Sequence, residues 1–409
     1  MKNLHLFSAL LLAFILRFAF VAFYGDLTKD YYWEHGELSK NLTAGKGYSL
    51  FYFQEDSLLQ RFSPDAHPFP SAYMPPGYTF VLTPFIIIEN VKVRNILLIT
   101  FQTLCSLLLI YLLYTFTSEH FGVVPAIIAA YAGAMLPDFI YSVVSFTPTI
   151  LYQCGIIFIL ILLYKEDPSS QKISWKIFAI SFLLLYLRSE FFLFAILLII
   201  FWMLTTKVRK ALIFAALLGV MLTPWIIRNY LIFEEFIPFT TSSGLNFYRG
   251  NNPGEIGDWG DDLTNSELRM VPRNNRFEIA FNAIYTHHAI QYVLEHPFTT
   301  IGRAVNKAVA LWTFDFYDTR NNALILAFYS LVISVFFFVG LLLSFDWKNH
   351  YYTYLFFLSA TMVSAVFFVL LRYQTTLRAM VIPFASYGVV RMWELFRRKF
   401  RSLSPGNDQ

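Results

Sequence analysis

LHLFSALLLAFILRFAFVAFYGDLTKDYYWEHGELSKNLTAGKGYSL, residues 4–50, is the stretch on which the reading of the fold turns. Residues 4–24 are an apolar run with Arg17 as its one deep charge. A helix needs about 20 such residues to cross a hydrocarbon layer roughly 30 Å thick, and this run supplies them. Phe20, Val21 and Phe23 close it where a secretory signal would carry small residues for cleavage, so it reads as a retained anchor. Residues 25–50 then turn polar, with Asp30, Glu34 and Glu37 set among Tyr31, Tyr32 and Trp33. If Asp30 opens a helix, as Asp does at N-caps, Glu34 and Glu37 follow at i+4 and i+7 and share its face. The rings then lie at headgroup depth and the acids turn toward a cavity. Acids in an outer loop are commonly just solvated, and near a helix start they also favour the dipole. What sets these apart is a membrane helix that pins them where a substrate arrives from lipid.

The rest of the chain repeats this alternation. Of its 409 residues 14% are charged, against about a quarter in soluble domains, so the chain belongs in a membrane. Segments 95–116, 123–140, 145–164, 175–187, 190–206, 211–231, 323–344, 351–371 and 379–396 read as apolar helices. The shorter segment 77–90 reads equally as re-entrant or as a span lengthened by its flanks. The expected fold is an all-α polytopic membrane protein with about 10–11 transmembrane helices. It forms a single unit over 1–409, with two long extracytoplasmic loops, 25–76 and 232–300, carrying interfacial helices.

Orientation follows from Lys and Arg in short loops, which stay cytoplasmic. Lys165, Lys172 and Lys176 form one cluster, Lys207, Arg209 and Lys210 a second, and Arg397, Arg398, Lys399 and Arg401 a third. All three then face the cytoplasm together with the N-terminus, and the acid-rich loops face outside. One conflict stands: if 77–90 crosses, the helix count up to Lys165 has the wrong parity, and Lys92 and Arg94 fit either side. The net charge of +4 sits in these clusters and not on a basic face, which excludes a nucleic-acid reader.

Metal chemistry finds little support in the residues. Cys105 and Cys154 lie inside apolar runs, and His287 and His288 are adjacent, without the i, i+4 spacing that puts two rings on one ion. His296 precedes Pro297 and reads as a helix-end residue, and the acids of DWGDD at 258–262 lack the twelve-residue calcium pattern. No ligand cluster therefore supports a divalent metal, and no cofactor is implied. Asn41-Leu-Thr43 matches a glycosylation sequon, but its place in the acidic helix makes the match accidental.

Five passages carry a family likeness. EHGELSKNLTAGKGYS (34–49), followed by SAYMPPGY (71–78), resembles the first-loop signature of the GT-C glycosyltransferases, which use polyprenyl-phosphate sugars and include protein O-mannosyltransferases and bacterial aminoarabinose transferases. TPWIIRNY (223–230) with IPFTTSSGLNFYRGNNP (237–253) is similar to the membrane-exit segment and Gly-Asn-rich outer loop of the bacterial branch. LRYQTTLR (371–378), ahead of Pro383, resembles the late Arg-Tyr element. The likeness thus touches the beginning, middle and end of the chain.

The resemblance implies inverting transfer of a sugar from a polyprenyl phosphate or diphosphate to a hydroxyl of a glycan, lipid or protein acceptor, outside a bacterial inner membrane. By position the family's catalytic acid falls on Asp30 or Glu34, with Asp30 the first choice. Such a displacement needs a base for the acceptor proton, a cation for the leaving phosphate, and exclusion of water. Arg372 and Arg378 are nominated for the phosphate, with Arg228 behind them; the plain alternative for each is snorkelling to headgroups. Glu37, Tyr78, Asp138, Arg188 and Asn246 are cavity candidates, Arg188 having Glu190 as a near partner. In LPDFIYSVVSFTPT (136–149) Pro148 stands where relatives carry a second acid, which leaves Asp138 as the nearby carboxylate. A lipid or saccharide transporter without transfer chemistry is the competing reading, and it calls for repeated halves and midplane charges that the sequence lacks apart from Arg17. An assembly subunit is the third.

Overall fold

A computed structural model describes residues 2–403, apart from 56, 168–169, 255–265, 268 and 315–323. The first apolar run forms α1, Lys2–Tyr24. Its outward face carries Leu4, Phe7, Leu11, Phe14 and Phe18, all exposed as lipid-facing side chains are, while Ala9 and Ala13 are buried against Ile110, Ala130 and Ala134. Small residues at that seam let the backbones approach.

α4, Val91–Phe121, opens on Asn90, whose side chain accepts from Val93 N at 3.2 Å. Gly122, at φ +90°, turns the chain into α5, Val123–Met135, and α6, Pro137–Ser145, which meet at a 50° bend. Pro137 has no N–H to give the Gly133 carbonyl, and within the bilayer that carbonyl needs a donor. Arg17 supplies it: its guanidinium donates to the Gly133, Ala134 and Ala13 carbonyls at 3.1–3.2 Å and its Nε to Ser106 Oγ at 2.8 Å. The deep charge of α1 is thus a cap for a broken helix.

The bundle continues through α7 (Thr149–Lys165), α8 (Trp175–Leu187), α9 (Phe191–Leu204), α10 (Val208–Phe233), α14 (Leu324–Leu343), α15 (Trp347–Val366) and α16 (Leu371–Leu403). This is an all-α polytopic membrane protein. Each of the apolar segments is helical, but fewer than expected are long and apolar enough to cross by themselves. Among the described residues those are α1, α4 and α10, with the bent pair α5–α6 a fourth when it is taken as one span. α7, α8, α9 and α14 are apolar but shorter, and α15 and α16 begin with polar side chains such as His350 and Gln374 that are buried against other helices.

α3, Pro76–Ile86, does not cross. Its 11 residues reach about 16 Å, and both flanks are tied to the first long loop. Tyr48 Oη donates to Met74 O at 2.8 Å before it, and Arg94, bonded to Asp30, donates to Ile88 O at 2.9 Å after it. The parity conflict thereby disappears. α4 runs from Arg94 at the loop end to Glu119 at the far end, where Glu119 pairs with Lys165 and Glu166 with Lys210.

Over the loop end lies a cap. It holds α2 (Trp33–Thr43), a hairpin pairing β1 (Tyr52–Gln54) with β2 (Ser57–Leu59), α11 (Ser243–Gly250), α12 (Phe277–Glu295) and α13 (Pro297–Trp312). Leu38, Tyr48, Phe51, Trp225, Tyr248 and Phe277 give the two long loops one apolar core.

Candidate active site

Asp30 does not open the acidic helix. Tyr32 precedes α2 and Trp33 starts it in the left-handed region at φ +57°, so the expected alignment of Asp30 with Glu34 and Glu37 is not formed. The twist folds Tyr32 back over the first turn, where a Cβ on Gly36 would meet Tyr32 Cβ at 2.3 Å; only glycine fits. Tyr32 is buried beneath Phe146, with its Oη donating to Asn95 Oδ1 at 2.7 Å.

The three acids consequently have three fates. Asp30 lies in the extended lead-in and is held by Arg94 at 2.7 Å and Lys40 at 3.2 Å. Glu37 is fully buried, paired with Lys40 at 3.2 Å through Oε1 and accepting from Phe62 N through Oε2, so it anchors the segment after the hairpin. Glu34 is half-buried, and among the described residues its carboxylate has no hydrogen-bond or ion-pair partner.

Next to Glu34, His35 is buried, its Nδ1 3.1 Å from Thr79 Oγ1 and its ring edge-on to Tyr78 at 5.4 Å. Burial, and after it the positive fields of Arg372 and Arg188, push its imidazole down to about 3, so it is neutral. The same fields mark which cations stand near α2. Arg372 is exposed and stacks on Tyr373 at 5.4 Å, and its N–H groups have no acceptor among the described residues. Arg188 is packed between Tyr152 and Tyr373, donates to Thr376 at 2.9 Å, and pairs with Glu190 at 2.7 Å.

Tyr152, Glu190, Tyr373 and Thr376 also line a cavity of about 510 Å³. Its lining adds Ser189, Thr240, Ser243 and Asn246, with Leu193 on α9, Phe356, Ser359, Ala360 and Val363 on α15, and Leu377 on α16. A mostly apolar lining with a few polar side chains suits an amphipathic ligand with a lipid tail.

The remaining nominees serve the scaffold. Arg378 is buried between Asp138 at 2.5 Å, Tyr329 Oη at 2.6 Å and Ser330 Oγ at 2.5 Å, clamping α6, α14 and α16 together. Arg228 donates to the carbonyls of Ser71 at 2.6 Å and Tyr48 at 2.9 Å and stacks on Tyr48 and Trp225. Tyr78 is buried and accepts from Gln102 Nε2 at 2.6 Å. Asn41 is buried, with its Nδ2 donating to Ser49 O at 2.8 Å, and His288 bonds Glu267 at 2.9 Å. The DWGDD acids lie outside the described residues, among which no group of three or more His, Cys, Asp or Glu could hold a metal ion. Sequence reasoning missed His35, Arg94, Lys40 and Glu278. A charged pair, Lys92 and Arg94, at the head of a long apolar helix was the available signal for Arg94.

No protein-family model matches the chain, and no curated protein matches it by sequence. Among solved structures it is similar to the oligosaccharyltransferase of Archaeoglobus fulgidus in its apo form, with a TM-score of 0.51 and 13% identity over 100% of this chain and 52% of that one. The chain shares the fold of the part of that protein it matches. The archaeal oligosaccharyltransferase AglB from Archaeoglobus fulgidus, in complex with an inhibitory peptide and a dolichol-phosphate, aligns with a TM-score of 0.49 at 15% identity, again over 100% of this chain and 52% of that one. The chain therefore spans about half the length of these archaeal proteins.

Proposed function

We propose that this protein is a membrane glycosyltransferase that moves a sugar from a polyprenyl-phosphate or polyprenyl-diphosphate donor to an acceptor hydroxyl, with inversion, on the extracytoplasmic side of a bacterial inner membrane. Two charges without a hydrogen-bond or ion-pair partner among the described residues support the reading: the Glu34 carboxylate, which neighbours His35 in sequence and whose field reaches Tyr31 and Tyr73, and the Arg372 guanidinium, whose field reaches His35 and which adjoins a lipid-sized cavity through Tyr373. Elsewhere at this end, Asp30, Glu37, Arg94, Arg188 and Arg228 are each spent on protein partners.

In the proposed reaction the isoprenoid tail lies along Leu193, Phe356 and Val363. The phosphate receives the forked N–H groups of Arg372, a cation that stays charged in low dielectric. The acceptor oxygen attacks the anomeric carbon from the face opposite the phosphate. The carbon–oxygen bond to phosphate breaks with its electron pair going to the phosphate, and the acceptor proton passes to Glu34. Between the two nominated acids we choose Glu34, because the lone pairs of Asp30 are engaged by Arg94 and Lys40. Neutral His35 holds α2 to Thr79 without adding a positive charge that would bind the base. A glycan, lipid or protein acceptor approaches from the aqueous side past the exposed Trp33.

Transport without chemistry is the weaker reading. Arg17 and Arg378, both buried in the bundle, are locked to neighbouring helices and free to carry nothing. Deleting the gene and comparing membrane glycolipids and glycoproteins by mass spectrometry tests the proposal. One glycosylated species should lose one sugar, wild type should restore it, and Glu34→Gln should not. An unchanged glycan profile, or full restoration by Glu34→Gln, refutes it.

A further inference from the structure

The second long loop, through Gly250, is fastened to the end of α15 by a buried cation. Lys307 on α13 is 2% exposed, and its Nζ donates to Gly250 O at 3.2 Å, Val366 O at 3.4 Å and Phe367 O at 2.8 Å. An ammonium has three N–H groups and no acceptor, so these carbonyls engage all of it. Val366 and Phe367 end α15, where helix carbonyls lack internal partners and favour a positive charge. Asn251 adds a bond from Nδ2 to Val366 O at 2.8 Å. Gly250 approaches so closely that a Cβ there would lie 1.8 Å from Phe367 O. On the far side of the turn, Gln374 Nε2 donates to Ala310 O, one helical turn beyond Lys307 on α13, at 2.5 Å.

The turn held by this knot matters to the site. Val366, Phe367 and Phe368 wall the cavity, and the chain runs from them directly into α16, with Arg372 in its first turn. We infer that Lys307 is a positioning residue for the donor phosphate: by gathering the carbonyls of Gly250, Val366 and Phe367 it fixes the turn that closes the cavity and sets where Arg372 stands. The inference rests on Arg372 as the phosphate ligand proposed above.

The test is binding of a long-chain polyprenyl monophosphate to the full-length protein in detergent, titrated by native mass spectrometry, with the uncharged polyprenol as the comparison ligand. Arg372→Gln should weaken phosphate-lipid binding by about tenfold or more. Lys307→Met should do the same, polyprenol binding should be unchanged in both, and the double variant should bind no more weakly than Arg372→Gln, because both act through one contact. Wild-type affinity in Lys307→Met, equal losses for phosphate and alcohol, or losses that multiply in the double variant would each overturn the inference and leave the Arg372 assignment standing. Wild-type affinity in Arg372→Gln overturns that assignment and the inference with it. Should Lys307→Met fail to fold, Asn251→Ala removes one tie to the same turn. It should weaken phosphate-lipid binding selectively and non-additively with Arg372→Gln, and wild-type binding by Asn251→Ala overturns the inference.

Discussion

Glu278 gives this protein a pH-dependent joint between its two long loops. The side chain sits fully buried on α12, and its Oε2 accepts from Ala72 N at 2.8 Å in the first loop and from Thr241 Oγ1 at 2.6 Å in the second. Burial pushes its carboxyl from an ordinary 4.5 up to about 7, against the opposing pull of its hydrogen bonds and of Arg228. The fold therefore prefers the protonated form, while the unfolded chain ionises from about 4.5 upward. Stability falls as pH rises through that interval and the loss is complete above about 7, amounting to about 3 kcal/mol. Glu278→Gln removes the titration. Reversible unfolding of both proteins in mixed SDS and dodecyl maltoside micelles, from pH 4.5 to 8, isolates it from other titrations such as that of His35. Wild type should lose about 3 kcal/mol relative to the variant across the range. A difference between the two that stays constant with pH refutes the reasoning.

Two further predictions concern the scaffold. Asp138→Asn leaves the buried Arg378 without its counter-charge and should cost about 3–5 kcal/mol of stability in the same unfolding assay, whereas replacing both residues by leucine should cost less. Gly77→Ala places a Cβ 2.6 Å from the Tyr186 carbonyl oxygen, which belongs to helical backbone and cannot rotate away, so α3 should be pushed off α8 at a cost of about 1–3 kcal/mol, seen as a lowered unfolding midpoint.

Apolar length was legible, because a bilayer imposes it on the sequence one residue at a time. That is why every apolar segment emerged as a helix, and why the basic clusters at Lys165 and Lys210 proved to share one end. What a chain does across long separations was not. The fate of 77–90 depended on Tyr48 and Arg94 gripping its two flanks, and hydropathy carries no trace of either bond. Arg17, Arg228, Arg372 and Arg378 look alike in sequence, and the differences come from partners far away: Ser106 for the first, Ser71 for the second, Asp138 for the last, and none among the described residues for Arg372. The acid spacing predicts a helix from Asp30, and the left-handed Trp33 displaces its start by enough to put Asp30 on Arg94 and leave Glu34 open. Gly36, which that conformation requires, was the local clue. Gly77, in the first turn of α3, serves close packing against Tyr186 of α8, another contact across a long separation that the local sequence does not record.

Sugar transfer by membrane vesicles carrying Glu34→Gln, set beside Asp30→Asn, tests the central claim most directly, with the labelled glycan precursor of the host membrane as donor pool. Glu34→Gln should lower the turnover rate by about 10²–10⁴-fold while polyprenyl-phosphate binding is retained. Asp30→Asn, which loosens only the hold of Arg94 and Lys40, should keep measurable turnover. Wild-type turnover in Glu34→Gln, with Asp30→Asn inactive though folded, contradicts the account.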